Sequence, residues 1–246
     1  MQNTQAIVLK MKQQGESSAL LHTYSRDYGK LILIAKGARS SKSAFRGLLE
    51  PFSFLNIHYN EKKGRAYQFL SQAEFLNPFS NLKKRPAAVL YGSVILEILY
   101  KIQDTQADPQ LFDLLKNVLE AMDKGADAVL MHAYFILHYL RIEGLMLDPE
   151  HCFQCGGIPV KAYFLPLMGQ MLCGNCQKDH APVWELPDML LSLLNMMMHA
   201  DVVQMEKQKI ADADITLLNR LVWNTLASRF DSCRTLKSVE ILRKVL

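Results

Sequence analysis

Residues 30–75 read KLILIAKGARSSKSAFRGLLEPFSFLNIHYNEKKGRAYQFLSQAEF, and the alternation inside this stretch decides the fold. In KLILIAK, Leu31, Leu33 and Ala35 share one side of an extended chain, the period-two signature of a strand with one buried face. FSFLNIHYN (52–60) and AYQFLSQAEF (66–75) are further strand candidates, joined by NEKKG (60–64), whose composition is that of a hairpin connection. Upstream, QAIVLKMK (5–12) and ALLHTYS (19–25) add two more, with RDYGK (26–30) turning the second into the third. Five strands in about 75 residues, with a long connection between the third and fourth, predict a small closed barrel of OB type, because closure removes exposed strand edges. Other small barrels satisfy the same pattern.

Beyond Pro78 the spacing becomes helical. In RPAAVLYGSVILEILYKI (85–102), Leu90, Val94, Ile98 and Ile102 recur every four residues, and Pro86 suits a first turn, where no N–H is needed. Asp108 before Pro109 starts a second helix, and LFDLLKNVLEAM sets Leu111, Leu115, Val118 and Met122 in one stripe that Gly125 stops. DAVLMHAYFILHYLRIEG (127–144) is apolar enough for the centre of a bundle, with Gly144 at its end. His132 and His138 stand six apart on different helix faces, which suits core or boundary residues better than a chelating pair. LPDMLLSLLNMMMHA (186–200), DADITLLNRLVWNTLASRF (212–230) and LKSVEILRKVL (236–246) supply further helices. The run Met196, Met197, Met198 fits adaptable core packing, or a groove for a partner peptide.

Cys152, Cys155, Cys173 and Cys176 form two C-x2-C pairs with seventeen residues between them. Paired thiolates presented by two turns complete a tetrahedral zinc shell, and a closed four-thiolate set leaves no open catalytic position. Thiol redox chemistry is the competing reading of such pairs. Gly156, Gly157 and Gly174 give the turns the backbone freedom to aim both sulfurs at one ion, and VKAYFLP and GQML between the pairs suggest a short hairpin. His151 and His180 flank the pairs but are not needed for the shell, and Cys233, alone, is expected as a small packed residue. One structural zinc per chain is the expectation, tying together an insert that buries little apolar surface. The predicted architecture is a multidomain α+β chain: an OB-fold domain over 1–80, then a mainly α-helical domain over 81–246 with the zinc-binding insert at about 150–180.

Half of the 246 residues are apolar, which excludes a disordered chain. Neither a signal-peptide run nor eighteen uncharged apolar residues in succession occurs, so no membrane span is expected and the reading is a soluble, intracellular protein. The net charge of +4 is uneven: residues 1–80 hold 11 Lys or Arg against 5 Asp or Glu, a balance of +6 that leaves −2 for the remainder. That asymmetry suggests a polyanionic partner for the barrel, against the alternative of ordinary solubilising charge. Lys30, Lys36, Arg39, Lys42, Arg46, Lys62, Lys63 and Arg65 concentrate on the long connection and the NEKKG hairpin, among many aromatics. Phosphates repeat along a strand and every base has a stackable face, so cations interleaved with aromatics suit single-stranded nucleic acid. Most of the aromatics must fill the barrel, which leaves Tyr28, at a turn, and Phe45, in the polar loop, as the stacking candidates. No phosphate loop, HExxH, GxSxG or GxGxxG pattern is present, and a non-enzymatic protein is expected.

KGARSSKSAFRGLLEPFSFLNIHY, LSQAEFLNPF, and LRIEGLMLDPEHCFQCGG followed by CGNC occur in the order found in the bacterial DNA repair protein RecO family, which the chain resembles over most of its length. The resemblance implies an N-terminal OB fold, a helical domain and the zinc-containing branch of the family. It implies a cytoplasmic, nucleoid-associated mediator of the RecF recombination pathway that binds single- and double-stranded DNA and anneals complementary strands. With RecR as partner, such a protein helps RecA onto DNA coated by single-strand-binding protein, whose C-terminal tail it contacts. The alternative is a protein–protein adaptor whose helical domain binds partner tails and whose barrel is mainly structural.

Overall fold

The computed structural model describes residues 1–102 and 105–245 and divides into two compact units, Met1–Asp123 and Lys124–Leu246. In the first, β1 (Gln2–Gln14), β2 (Ser18–Ser25), β3 (Gly29–Ala35), β4 (Phe54–Asn60) and β5 (Gln68–Asn77) close into a barrel in the order β1-β2-β3-β5-β4. Every neighbouring pair is antiparallel except β3 with β5, which run parallel at Leu33↔Gln68 and Ile34↔Phe69. This is the OB arrangement expected from the alternation. Inward positions of all five strands, among them Val8, Leu21, Leu33, Ile57 and Leu70, form one buried cluster. Each such side chain stabilises by roughly 1.5–3 kcal/mol, so the cluster rather than turn chemistry holds the barrel closed.

Two strand ends differ from the apolar runs. Strand β4 starts at Phe54 because Phe52 sits at φ 74 in a turn, donating its N–H to the Val8 carbonyl at 3.0 Å. The Phe52 ring lies where a Cβ at residue 92 would be, 2.8 Å away. That contact accounts for Gly92 inside a helix, where glycine costs about 1 kcal/mol relative to alanine. Strand β5 starts at Gln68, so Ala66 and Tyr67 belong to the connection.

The helices α1 (Ser80–Lys83), α2 (Pro86–Lys101) and α3 (Pro109–Lys124) follow the barrel. On α2 the expected stripe is only partly right: Val94 and Ile98 are buried, Leu90 and Ile102 are half-buried, and Ala88, Tyr91, Ile95 and Leu99 are buried instead. The reason is that α2 touches α1, β1 and β2, so more than one of its faces is covered. On α3 all four stripe residues are buried, and Asp108 caps the start by accepting from the N–H groups of Gln110 (2.8 Å) and Leu111 (3.1 Å).

The second unit is built around α4 (Ala128–Ile142), which is buried over almost its whole circumference and contacts α5 (Asp188–His199), α6 (Val202–Met205) and α7 (Asp212–Arg229). Asp127 caps it, accepting from Val129 and Leu130, and Gly144 at φ 71 ends it. Three α4 side chains satisfy the carbonyls orphaned at the end of α5. Tyr134 donates to Ala200 O (3.2 Å), His138 Nε2 bonds Met197 O (2.8 Å) and Arg141 donates to Met198 O (2.9 Å). His132 is buried, as a core histidine is expected to be, and Met197 and Met198 pack inside while Met196 stays exposed. Between α4 and α5 lie the hairpin β6 (Ala162–Leu165) and β7 (Gln170–Cys173), joined by the short β8 (Trp184–Glu185). Helix α8 (Lys237–Val245) closes the unit; Leu246, the end of its apolar run, lies outside the described residues. No helix among the described residues is long and apolar enough to cross a membrane.

Candidate nucleic-acid interface and metal centre

The four paired cysteines converge. Their Sγ atoms all lie within 4.8 Å of one another, and Cys155 Sγ stands 3.8 Å from Cys173 Sγ. Tetrahedral coordination with metal–sulfur bonds of about 2.3 Å places sulfurs about 3.8 Å apart, so the donor set fits a single ion of the kind that accepts four thiolates. Local backbone chemistry builds each half. Cys152 N–H donates to Gly157 O (2.9 Å) and Gly156 N–H to Cys152 O (2.8 Å), with Gly156 at φ 71 closing the first knuckle. Phe153 N–H donates to Met171 O (2.8 Å) and ties that knuckle to β7, whose last residue is Cys173; a 3-10 turn then presents Cys176.

The thiols are driven apart in acidity. Burial opposes ionisation of Cys152, but the N–H groups of Cys155, Cys173 and Gln154 aimed at its sulfur bring it down to about 6. The N–H groups of Cys176 and Asn175 lower Cys173 in the same way, whereas Cys176, beside the Cys173 sulfur and partly desolvated, is pushed up to about 12. Such a cluster cannot carry four negative charges without a cation among them. His151 and His180 are engaged elsewhere, with Asp148 Oδ2 (2.9 Å) and Gln154 Oε1 (3.0 Å). Cys233 is fully buried and its thiol is pushed up to about 12 by desolvation.

The cationic elements of the barrel meet at the C-terminal end of β3. There the chain enters the long connection, a series of tight turns whose Leu49 joins the barrel core and whose Ala38, Phe45 and Leu48 pack against it. Arg39 fastens the connection to the β1–β2 turn, its backbone N–H donating to Ser17 O (2.9 Å) and its guanidinium to Glu16 O (3.0 Å). Lys36 lies over the Phe69 ring, Nζ 4.6 Å from the centroid, which joins the connection to the start of β5. The β4–β5 hairpin carrying Lys62, Lys63 and Arg65 arrives beside it. Gln68 braces that hairpin, its amide oxygen accepting from Lys62 N–H and its nitrogen donating to Lys62 O.

The expected contacts divide accordingly. Lys42, Arg46, Lys62, Lys63 and Arg65 are exposed, and their head groups have no partner among the described residues. Lys36 is exposed on its aromatic seat; Lys30 is half-buried and donates to Tyr100 O (3.1 Å). Tyr28 stands at the other end of β3, its hydroxyl donating to Gln2 (3.0 Å) and its ring edge-on to Tyr59. Phe45 turns toward the core. The aromatics actually beside the cations are Tyr67 and Phe69, edge to face with centroids 6.1 Å apart. Neither is among the stacking candidates read from the sequence, and Tyr67 lies in the connection rather than in β5, so strand alternation does not mark it; closeness to Lys62, Lys63 and Arg65 in the chain is the signal that could have found the pair.

Comparison with known proteins agrees in both halves of the chain. The family model described as recombination protein O N terminal matches residues 1–79, and that described as recombination protein O C terminal matches residues 84–229. Similar curated proteins include the DNA repair protein RecO of Rubrobacter xylanophilus, 31% identical and aligned over 73% of each chain. That of Nocardioides sp. is 33% identical over 70% of this chain and 73% of its own. That of Alkaliphilus metalliredigens is 25% identical over 98% of both.

Proposed function

The chain belongs to the recombination protein O (RecO) family of DNA repair proteins, and from that premise we propose that it is a recombination mediator that binds DNA through its barrel and anneals complementary strands. The observation that carries this reading is the meeting of two cationic connections at one end of β3 on a closed OB barrel, with unpartnered head groups on Lys42, Arg46, Lys62, Lys63 and Arg65. Residues 1–80 are the DNA-binding domain and residues 81–246 the helical domain in this account. Annealing needs phosphate repulsion neutralised and strands held loosely, not a nucleotide hydrolysed, so no catalytic residue and no ATP are assigned. Four thiolates in a closed set select zinc over harder ions, and one structural zinc holds the insert at about 150–180.

RecR, and RecA indirectly, are the partners that family membership suggests, in the cytoplasm on the nucleoid. For the acidic, apolar-ended tail of single-strand-binding protein we propose a receptor in the second unit. A cavity of about 390 Å³ there is lined by Trp223, Val239 and Leu242, with Arg220, whose guanidinium lies over the Trp184 ring, at its wall as the cation for a carboxylate. The test of the DNA reading is a variant with Lys36, Arg39, Lys42 and Arg46 all changed to alanine. It is expected to fold and to bind single-stranded DNA several-fold more weakly; normal binding by the folded variant would refute the assignment of this patch.

A further inference from the structure

We propose that Tyr67, braced by Phe69, is a nucleobase platform that makes the barrel prefer single strands over duplex, an inference that rests on the DNA-binding reading above and assigns it a base-reading component. Tyr67 is a large aromatic left open at this end of the barrel: 43% of its surface is exposed and its hydroxyl has no hydrogen-bond partner among the described residues. Its ring is nonetheless held in place. Phe69 meets it at 87°, and Lys36 covers Phe69 with Nζ 4.6 Å from the centroid, so Lys36, Phe69 and Tyr67 form one continuous series of contacts.

Charge completes the site. Arg65 is two residues before Tyr67, Lys62 and Lys63 stand on the same hairpin, and Lys36 sits behind the pair. A strand whose phosphates follow these cations brings its bases over the open Tyr67 ring. A base stacked on Tyr67 keeps its Watson–Crick edge clear, so a complementary strand can pair with it while it is held. In a duplex the base faces are already stacked on one another, and the platform gains nothing.

The experiment measures binding of the full chain to a thymidine 15-mer, to an abasic 15-mer of equal charge and to a 15-base-pair duplex, at two salt concentrations, by fluorescence anisotropy. Tyr67→Ala is expected to weaken thymidine-strand binding by about 5- to 150-fold, the range that stacking of one base covers. Its abasic-strand affinity, duplex affinity and salt dependence stay at the wild-type values, and Tyr67→Phe retains thymidine-strand binding. Equal losses on thymidine and abasic strands, or no loss on either, overturn the platform while leaving the cationic reading intact. Wild-type protein that binds neither strand overturns both.

Discussion

Removing the three cations of the β4–β5 hairpin, by Lys62→Ala, Lys63→Ala and Arg65→Ala together, tests how the barrel holds DNA. On these two connections five cationic head groups are exposed with no partner among the described residues: Lys42 and Arg46 on the long connection, and Lys62, Lys63 and Arg65 on the hairpin. Each phosphate neutralised on a single strand contributes about −0.7 to the slope of log affinity against log salt, so five contacts give a slope near −3.5. Between 50 and 200 mM salt that corresponds to a loss of affinity of roughly 100-fold. The triple variant retains two such contacts and a slope near −1.4, a loss of only about 7-fold over the same interval. All three positions are exposed and away from the core cluster, so their replacement costs little stability. Fluorescence anisotropy of a labelled thymidine oligonucleotide across a salt series reads the slopes directly. A triple variant with the wild-type slope would refute the placement of phosphates along this hairpin.

Three other outcomes follow from particular residues. Purified protein should contain one zinc per chain by elemental analysis, and Cys173→Ser should lose the metal and expose residues 150–180 to protease; near-zero metal with four freely titratable thiols would contradict the centre. Burial pushes the His132 imidazole down to about 3 from 6.5, so between those values the unfolded chain binds a proton that the folded chain does not. Stability is untouched above pH 6.5 and is lost as pH falls, by about 2 kcal/mol at pH 5. His132→Leu should flatten that acid limb in urea titrations, and parallel limbs in the two proteins would exclude the histidine as its source. Gly29 (φ 63) has the backbone carbonyls of Thr105 and Gln106 where a Cβ would go, whereas Gly37 (φ 65) has nothing within 4 Å. Gly37→Ala should therefore cost about 1–2 kcal/mol for the left-handed backbone alone. Gly29→Ala should cost clearly more, and equal costs would show that the close approach does not constrain the fold.

Period-two alternation was enough to find all five strands, because a barrel buries one face of each and Leu33, Ile57 and Leu70 must point inward together. The convergence of the four cysteines was equally legible, since each C-x2-C pair sets two thiols together locally and β6–β7 pairing then brings Cys173 to the first knuckle. What the sequence hid was the environment created by remote contacts. Leu90 and Ile102 matched a helical stripe, but α2 is covered by β1, β2 and α1, and burial followed those neighbours. Phe45 looked free in a polar loop, yet that connection folds back and contributes Leu49 to the core, taking Phe45 with it. Tyr67 and Phe69 looked like barrel filling because apolar residues occupy both faces of the chain at the start of β5. Only the parallel pairing of β3 with β5 shows which of them meet Lys36.

The most direct test of the account is annealing of complementary DNA strands coated with cognate single-strand-binding protein, with and without ATP, comparing the wild-type chain with the variant lacking the cations at residues 42, 46, 62, 63 and 65. The account predicts annealing by the wild type at the same rate in both conditions, and little above background by the variant. Annealing that requires ATP, or that the folded variant performs as well as the wild type, would contradict it.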